Sequence, residues 1–482
     1  MIVKLFLELA EKHGDKKALK TRDGIWTYRE LSAEIRKIAN CLPKWGAQEN
    51  EPIGIALPNC REFIVLLLAA ELAGSPSILF GAVQKSREIH YHVERSGVRI
   101  ILASPRMAKF MVEAGGIKQP CEYEHIECWR FEKENEQKLF LPGDFICQMT
   151  SGSAGLSKGA VRTGEAVLDE IKNVLLDIQL SEKDTVLVIP PIHHSFGLVP
   201  GALSALCAGA TLILQDAFIP IDIKSCIEVE KVSVLLAVPF MYHMLNQLNE
   251  EIQADFSSLR ICLTAGAPLQ ASVAKIFFER FGKSISIIYG ATETGVMCLN
   301  LEPDLETMSV GKAFGTRSII AFDENGNHLP PGQTGELRTR SIADARAYLY
   351  PQELNETVFH DGWYSTGDFG SVNEEGYVMI AGRKSSIINV AGLKVDPAEV
   401  EKVISLIPEV KEVVVVGLDS GTGTQIVKAV VVPTEVTLSK KQIIDICKQN
   451  LSDFKIPRVV EFVDEIPRSA TGKILRHQLV SI

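Results

Sequence analysis

Short apolar runs alternate with stretches of helical periodicity along most of this chain, and that alternation limits its fold more than any other feature. The runs at 185–189, 211–214, 232–238 and 285–288 are rich in Val, Ile and Leu, which suits buried strands. Strands alternating with helices build βαβ units, so the sequence predicts α/β subdomains with largely parallel sheets and helices on both faces. Near the start, Leu31, Ile35, Ile38, Ala39 and Leu42 recur at helical spacing after Thr27-Tyr28-Arg29-Glu30, which has the form of a helix start. From about 310 to 340 the pattern changes. Turn signals at 322–327 and 330–332, flanked by short strands, predict a small antiparallel β element. Past Gly382 it changes again, with a helix expected over 397–407, strands over 412–416 and 426–432, and a helix over 439–451. The reading is a large N-terminal α/β domain over 1–382 and a small α+β domain over 383–482, the usual size of an independent unit.

At 482 residues the chain exceeds a single ordinary core. A net charge of −10 speaks against a nucleic-acid partner, since phosphate-backbone binding needs an excess of Lys and Arg. It leaves room for a small anionic ligand held by a local loop. The ten cysteines lie scattered with no Cys-x-x-Cys pair, a pattern of reduced, mostly buried thiols rather than a disulfide framework or zinc site. The N-terminus reads as an amphipathic helix interrupted by Glu8 and Glu11, not a signal peptide. The longest apolar run, 63–70, is far shorter than the roughly 20 residues of a membrane span. A cytoplasmic protein is expected, as a monomer or homodimer.

Two segments at opposite ends carry the chemistry. Thr150-Ser151-Gly152-Ser153-Ala154-Gly155-Leu156-Ser157-Lys158-Gly159 follows an expected strand at 145–149. Small residues let the backbone approach an anion, successive N–H groups and hydroxyls can line a phosphate nest, and Lys158 adds a positive charge. It is not a Walker A loop, because Lys158 follows Ser157 instead of Gly. Taken alone, the segment is equally well a flexible turn between strand and helix. A Ser-nucleophile amidase motif would want paired glycines and paired serines, which 151–155 lacks. The second segment is Pro467-Arg-Ser-Ala-Thr-Gly-Lys473-Ile-Leu-Arg476, whose lysine could deliver a cation to phosphates held elsewhere.

Three further segments stand where a nucleotide site needs them. Tyr289-Gly290-Ala291-Thr292-Glu293 directly follows the 285–288 strand, and ligands in doubly wound sheets sit beyond strand carboxyl ends. There a hydroxyl and a carboxylate can meet a phosphate and a hard cation such as Mg²⁺, although an acid in the first turn of a helix explains Glu293 as well. Asp368, in Trp363-Tyr-Ser-Thr-Gly-Asp368, can accept ribose hydroxyls or be an ordinary turn aspartate. Arg383, in Gly382-Arg-Lys384, can reach a ribose or phosphate or be a surface charge at a linker.

In this order, these segments resemble the adenylate-forming superfamily, which includes acyl- and aryl-CoA synthetases, luciferases and peptide-synthetase adenylation domains. The resemblance runs from Trp26-Thr-Tyr-Arg-Glu-Leu31 through Asn59-Cys-Arg-Glu-Phe63 and Ala265-Gly-Ala-Pro268 to Lys473. It implies that residues 150 to 158 grip the β- and γ-phosphates of ATP. Gly266, Ala267 and Pro268, with Tyr289, Gly290 and Ala291, would line adenine and the acyl group. Thr292 would touch the α-phosphate, Glu293 would hold Mg²⁺, Asp368 and Arg383 would bind ribose, and Lys473 would be the catalytic lysine. His194 matches a position at the mouth of the acyl pocket, and a packed core histidine fits it equally. The chain departs from the pattern at four places. Ser157 replaces a proline before the loop lysine, and Ser385 stands at the hinge where Asp or Lys is usual. Asn389 stands for Lys, and Lys394 for an Arg near the thiol tunnel.

The resemblance further implies an ATP-dependent ligase working in two half-reactions. A carboxylate attacks the α-phosphate of ATP, giving acyl-AMP and pyrophosphate; the small domain then swings, and a thiol takes the acyl group past Gly392 and Lys394. Amino-acid-activating members place an acid in the segment matching 192–196, where this chain has His193-His194-Ser195-Phe196. A fatty, short-chain or aromatic acid without an α-ammonium group is therefore expected. The expected thiol is coenzyme A, with the phosphopantetheine of an acyl carrier protein as the alternative. A nucleotide-binding relative without catalysis is the third reading.

Overall fold

The computed structural model describes residues 1–82, 84–132, 139–151, 157–249, 254–383, 388–390, 393–419, 425–434, 438–468 and 474–480. The chain forms two compact units: Met1–Ser318 with Thr339–Tyr364, and Ile319–Arg338 with Ser365–Ile482.

The first unit is built on two sheets. In one, the spatial order is Gly311–Ala313, Gly295–Asn300, Ile285–Ala291, Ile261–Thr264, Val234–Leu236, Thr185–Val188, Thr211–Leu214, Lys17–Thr21 and Gly24–Thr27. From Ile285–Ala291 to Lys17–Thr21 neighbours run parallel, and antiparallel strands close both ends. The βαβ expectation holds for this central part. All four residues of Thr211–Leu214 are buried, as a strand in a parallel sheet covered on both faces requires. The second sheet runs Ala347–Tyr350, Ser157–Thr163, Asp144–Ser151, Ser77–Phe80, Ile53–Ala56, Ile100–Ala103, Glu127–Arg130 and Ile117–Gln119. Its middle is parallel, and Asp144–Ser151 pairs antiparallel with Ser157–Thr163.

Helix Tyr28–Cys41 starts where expected because the Thr27 hydroxyl accepts the Glu30 N–H, while the Glu30 carboxylate accepts the Thr27 N–H. The longest apolar run lies in helix Arg61–Leu72, whose residues 62–70 are all buried within the protein. No described helix is long and apolar enough to cross a membrane. All ten cysteines are free thiols, six of them buried; burial pushes Cys207 and Cys262 up to about 12, so they pack as inert apolar groups.

The second unit holds residues 319–322, 335–338, 365–372 and 377–383, which lie side by side as parts of strands Ser318–Phe322, Gly335–Arg340, Trp363–Val372 and Tyr377–Arg383. It also holds a smaller sheet of Val410–Asp419, Gln425–Pro433 and Val459–Phe462, with helices Pro397–Ile404 and Lys440–Asn450. Ile388 and Val395, from the strand pair Ile388–Val390 and Leu393–Val395, are buried in one core with Val400, Ile404, Val415, Val427 and Ile443. That hairpin is therefore an integral piece of the α+β core. The first of these helices ends three residues earlier than its pattern predicts, with Leu406 exposed beyond it.

Candidate active site

Strand Ile285–Ala291 doubles back into Gly295–Asn300, and the tight turn between them carries Thr292 and Glu293. The geometry demands glycine twice. A Cβ on Gly290 would lie 2.3 Å from the Gly295 carbonyl oxygen, at a point where the pairing register slips. Gly295 has φ +66°, and a Cβ there would lie 2.1 Å from a carboxylate oxygen of Glu170. A strand follows the turn, so the helix-start explanation of Glu293 does not apply.

Glu293 is 6% exposed, and its Oε1 accepts two hydroxyls: Tyr348 Oη–H at 2.6 Å and Thr150 Oγ1–H at 3.3 Å. Thr150 is the penultimate residue of strand Asp144–Ser151 and pairs in register with Lys158 on strand Ser157–Thr163. The Lys158 ammonium stands 4.9 Å from the centre of the Tyr348 ring. Thr150, Lys158 and Glu293, three of the residues marked in the sequence, therefore meet around one tyrosine that was not. Burial, and next the Glu293 carboxylate, raise the pKa of the Tyr348 hydroxyl, so it remains a donor throughout the neutral range. Glu293 makes no ion pair among the described residues. A buried carboxylate beside a hydroxyl is an oxygen donor set that suits Mg²⁺, which needs only one or two protein carboxylates when substrate phosphates complete its shell.

Gly266, Ala267 and Pro268 lie beyond the carboxyl end of strand Ile261–Thr264, whereas Tyr289, Gly290 and Ala291, expected to follow a strand ending at 288, form the carboxyl end of its parallel neighbour Ile285–Ala291. Gly266 has φ +87° and is exposed; Tyr289 and Ala291 are half-buried. His193 and His194 have ring centres 4.1 Å apart, with their planes tilted by 44°. Burial, and then the neighbouring His194 ring, bring His193 down to about 3, which keeps it neutral. The loop bearing them is pinned by Asn59. Its amide donates to the carbonyls of Pro190 and Gln215 at 3.1 and 2.9 Å, and its carbonyl accepts the Ile192 N–H at 2.8 Å. Gln148, two residues before Thr150, donates to the His193 carbonyl at 2.9 Å.

In the second unit, Asp368 and Arg383 face each other across paired strands, with Arg383 Nε donating to Asp368 Oδ1 at 2.8 Å. Asp368 is buried, and its N–H reaches the Thr366 hydroxyl, which in turn donates to the Leu337 carbonyl. Lys473, Gly152, Ser153, Ala154, Gly155, Ser385 and Gly392 lie outside the described residues, as do the side chains of Ser151, Asn389 and Lys394. Tyr348 and Asn59 bond partners 55 and 130 or more positions away; Asn59 opens a segment that carries the resemblance, whereas no local pattern announces Tyr348.

The chain is similar along nearly its whole length to proteins of known activity. It is 29% identical to a feruloyl-CoA synthase of Amycolatopsis sp, over 94% of this chain and 93% of the relative. It is 27% identical to the 2-succinylbenzoate–CoA ligase of Bacillus licheniformis, over 98% of each. The crystal structure of ATP-bound MatB from Rhodopseudomonas palustris superposes with a TM-score of 0.87 at 25% identity, covering 100% of this chain and 98% of that one. The profile of the AMP-binding enzyme C-terminal domain matches residues 399–473, and that of the AMP-binding enzyme itself matches 6–349. With that match over most of its length, the chain belongs to the AMP-binding enzyme family.

Proposed function

We propose that this protein is an acid–thiol ligase that joins a carboxylic acid to AMP at the expense of ATP, releases pyrophosphate, and passes the acyl group to coenzyme A. The observation carrying this reading is the buried Glu293 carboxylate, held by Thr150 near the end of strand Asp144–Ser151 and by Tyr348 beneath Lys158. A carboxylate attacking a phosphate is anion meeting anion, so the site must above all place the two and offset their charge. Lys158 and the backbone donors of residues 150–158 take the β- and γ-phosphates, while Thr292 faces the α-phosphate. Magnesium, held by Glu293 together with the phosphates, supplies neutralisation of charge on the departing pyrophosphate.

Asp368 and Arg383 take the ribose hydroxyls, their mutual ion pair fixing both heads before the nucleotide arrives. Lys473 approaches from the C-terminal domain and bridges the acid and the α-phosphate, favouring the transition state over the ground state. That domain pivots near residue 383, and the hairpin 388–395 travels with it because its core residues are buried there. Gly392 and Lys394 then border the path of the thiol.

The acid lacks an α-ammonium group. The segment 192–196 offers the neutral His193 ring beside His194 and no carboxylate to receive such a group, and two relatives are named for feruloyl-CoA and 2-succinylbenzoate. Pyrophosphate release should be measured with aromatic, short-chain and fatty acids, with coenzyme A, with a phosphopantetheinylated carrier protein, and without a thiol. Turnover with an aryl or fatty acid that depends on free coenzyme A supports the proposal. Dependence on the carrier protein would move the acceptor, and silence with every acid would leave a nucleotide-binding protein without catalysis.

A further inference from the structure

The turn that carries Glu293 rests on one buried and one largely buried ion pair that the chemistry proposed above does not use. On one side, Arg162 and Glu170 meet at 2.6 Å with both side chains 1% exposed. Glu170 Oε1 accepts the N–H of Val296 at 3.1 Å, and the same carboxylate fills the space where any Cβ on Gly295 would project. On the other side, Arg317 pairs with Asp344, donates to the Thr339 hydroxyl at 2.9 Å and donates to the Thr294 carbonyl at 2.7 Å. The backbone leading out of Asp344 closes the ring, with the Ala345 N–H donating to the Glu293 carbonyl. The backbone from Glu293 to Val296 is thus gripped at three points: the Glu293 carbonyl, the Thr294 carbonyl and the Val296 N–H.

The same frame reaches the phosphate-loop strand. Arg162 lies four residues beyond Lys158 on Ser157–Thr163, so their side chains share a face. Ala160, between them on that face, packs with Tyr348 and Ala345. Arg162 also donates through Nε to the Ala343 carbonyl at 3.1 Å. Burying four charges is costly, and well-packed apolar residues commonly replace such pairs without loss of stability. Stability alone is therefore a poor reason for the arrangement, whereas fixing one turn against one strand is a good one.

We infer that Glu170, Arg162, Arg317 and Asp344 are positioning residues that hold Glu293 in register with Lys158 and Thr150, and so set the affinity of the site for a nucleotide-bound divalent cation. This rests on the reading of Glu293 as the cation-holding carboxylate. Removing groups that orient a metal ligand typically lowers metal affinity about 10- to 100-fold.

The test is calorimetric binding of ATP with Mg²⁺ and with EDTA, read as the ratio of the two affinities and accompanied by thermal denaturation. Arg162→Met with Glu170→Leu removes the pair and the acceptor for Val296 N–H while keeping an apolar fill. The ratio should fall about tenfold or more, with EDTA affinity little changed. Arg162→Gln with Glu170→Gln restores an oxygen acceptor at that position and should recover most of the wild-type ratio. A folded Met/Leu chain with the wild-type ratio would overturn the inference, provided Glu293→Gln lowers it. If Glu293→Gln itself leaves the ratio intact, the reading of Glu293 falls instead. Should the Met/Leu chain not fold, Arg317→Lys, which loses the planar grip on Thr294, must lower the ratio in its place, and an unchanged ratio there overturns the inference equally.

Discussion

Tyr348→Phe removes a single oxygen from the centre of the site and leaves its ring in place. That oxygen donates at 2.6 Å to the buried Glu293 carboxylate, whereas the ring beneath Lys158 stays. A hydrogen bond to a charged group contributes about 1.5–3 kcal/mol. At roughly 1.4 kcal/mol per tenfold, its loss corresponds to a factor of about 10 to 150. If the hydroxyl sets the working position of Glu293, the loss appears in acid-dependent exchange of pyrophosphate into ATP. It should be largest at limiting Mg²⁺ and partly recovered when Mg²⁺ is raised. Tyr348→Leu also removes the ammonium–ring contact, about 0.5–1 kcal/mol, and should lose a further two- to fivefold or so. Exchange at the wild-type rate in the Phe variant, with only the melting temperature lowered, would refute the reasoning: the hydroxyl would then serve packing alone.

Two other perturbations probe the frame and the histidine loop. Gly295→Ala forces a side chain into a left-handed conformation and against the ion-paired Glu170. It should cost about 2–4 kcal/mol of stability by urea unfolding and reduce exchange, and a neutral result would contradict the close approach. His193, brought down to about 3 in the folded chain, takes up its proton more readily when unfolded. Stability it contributes is full above about pH 6.5 and is lost as pH falls toward 3. Between pH 7 and 5 that loss is about 2 kcal/mol, so His193→Gln should flatten the acid limb of stability by about that amount. An unchanged pH profile would show that the buried ring titrates normally.

The sequence made some of this plain and concealed the rest for physical reasons. Residues 211–214 were legible as a strand to the residue because a β-branched and apolar run suits a strand buried on both faces. Thr27 and Glu30 announced a helix start because a capping box is local chemistry. Thr150, Lys158 and Glu293 stood out as polar groups at the ends of apolar strands. The strands 53–56, 77–80 and 100–103 are further short, fully buried runs of the same length as 211–214, and they were not singled out from the sequence. Tyr348 sits in the apolar strand Ala347–Tyr350, where it reads as core, and only its partner 55 positions away gives its hydroxyl a purpose. Arg162 and Glu170 look like surface charges in a strand and a helix. Their burial is a property of the fold, to which neighbouring residues give no clue.

Under the proposed mechanism, Lys473 serves the adenylation half-reaction and not the thiol transfer. The direct measurement compares wild type with Lys473→Ala in both halves: acid-dependent ATP–pyrophosphate exchange without a thiol, and thioester formation from supplied acyl-AMP and coenzyme A. Exchange should fall by a factor on the order of 10²–10³ or more while thioester formation is retained. Exchange that persists at the wild-type rate, or an equal loss in both halves, would contradict the claim.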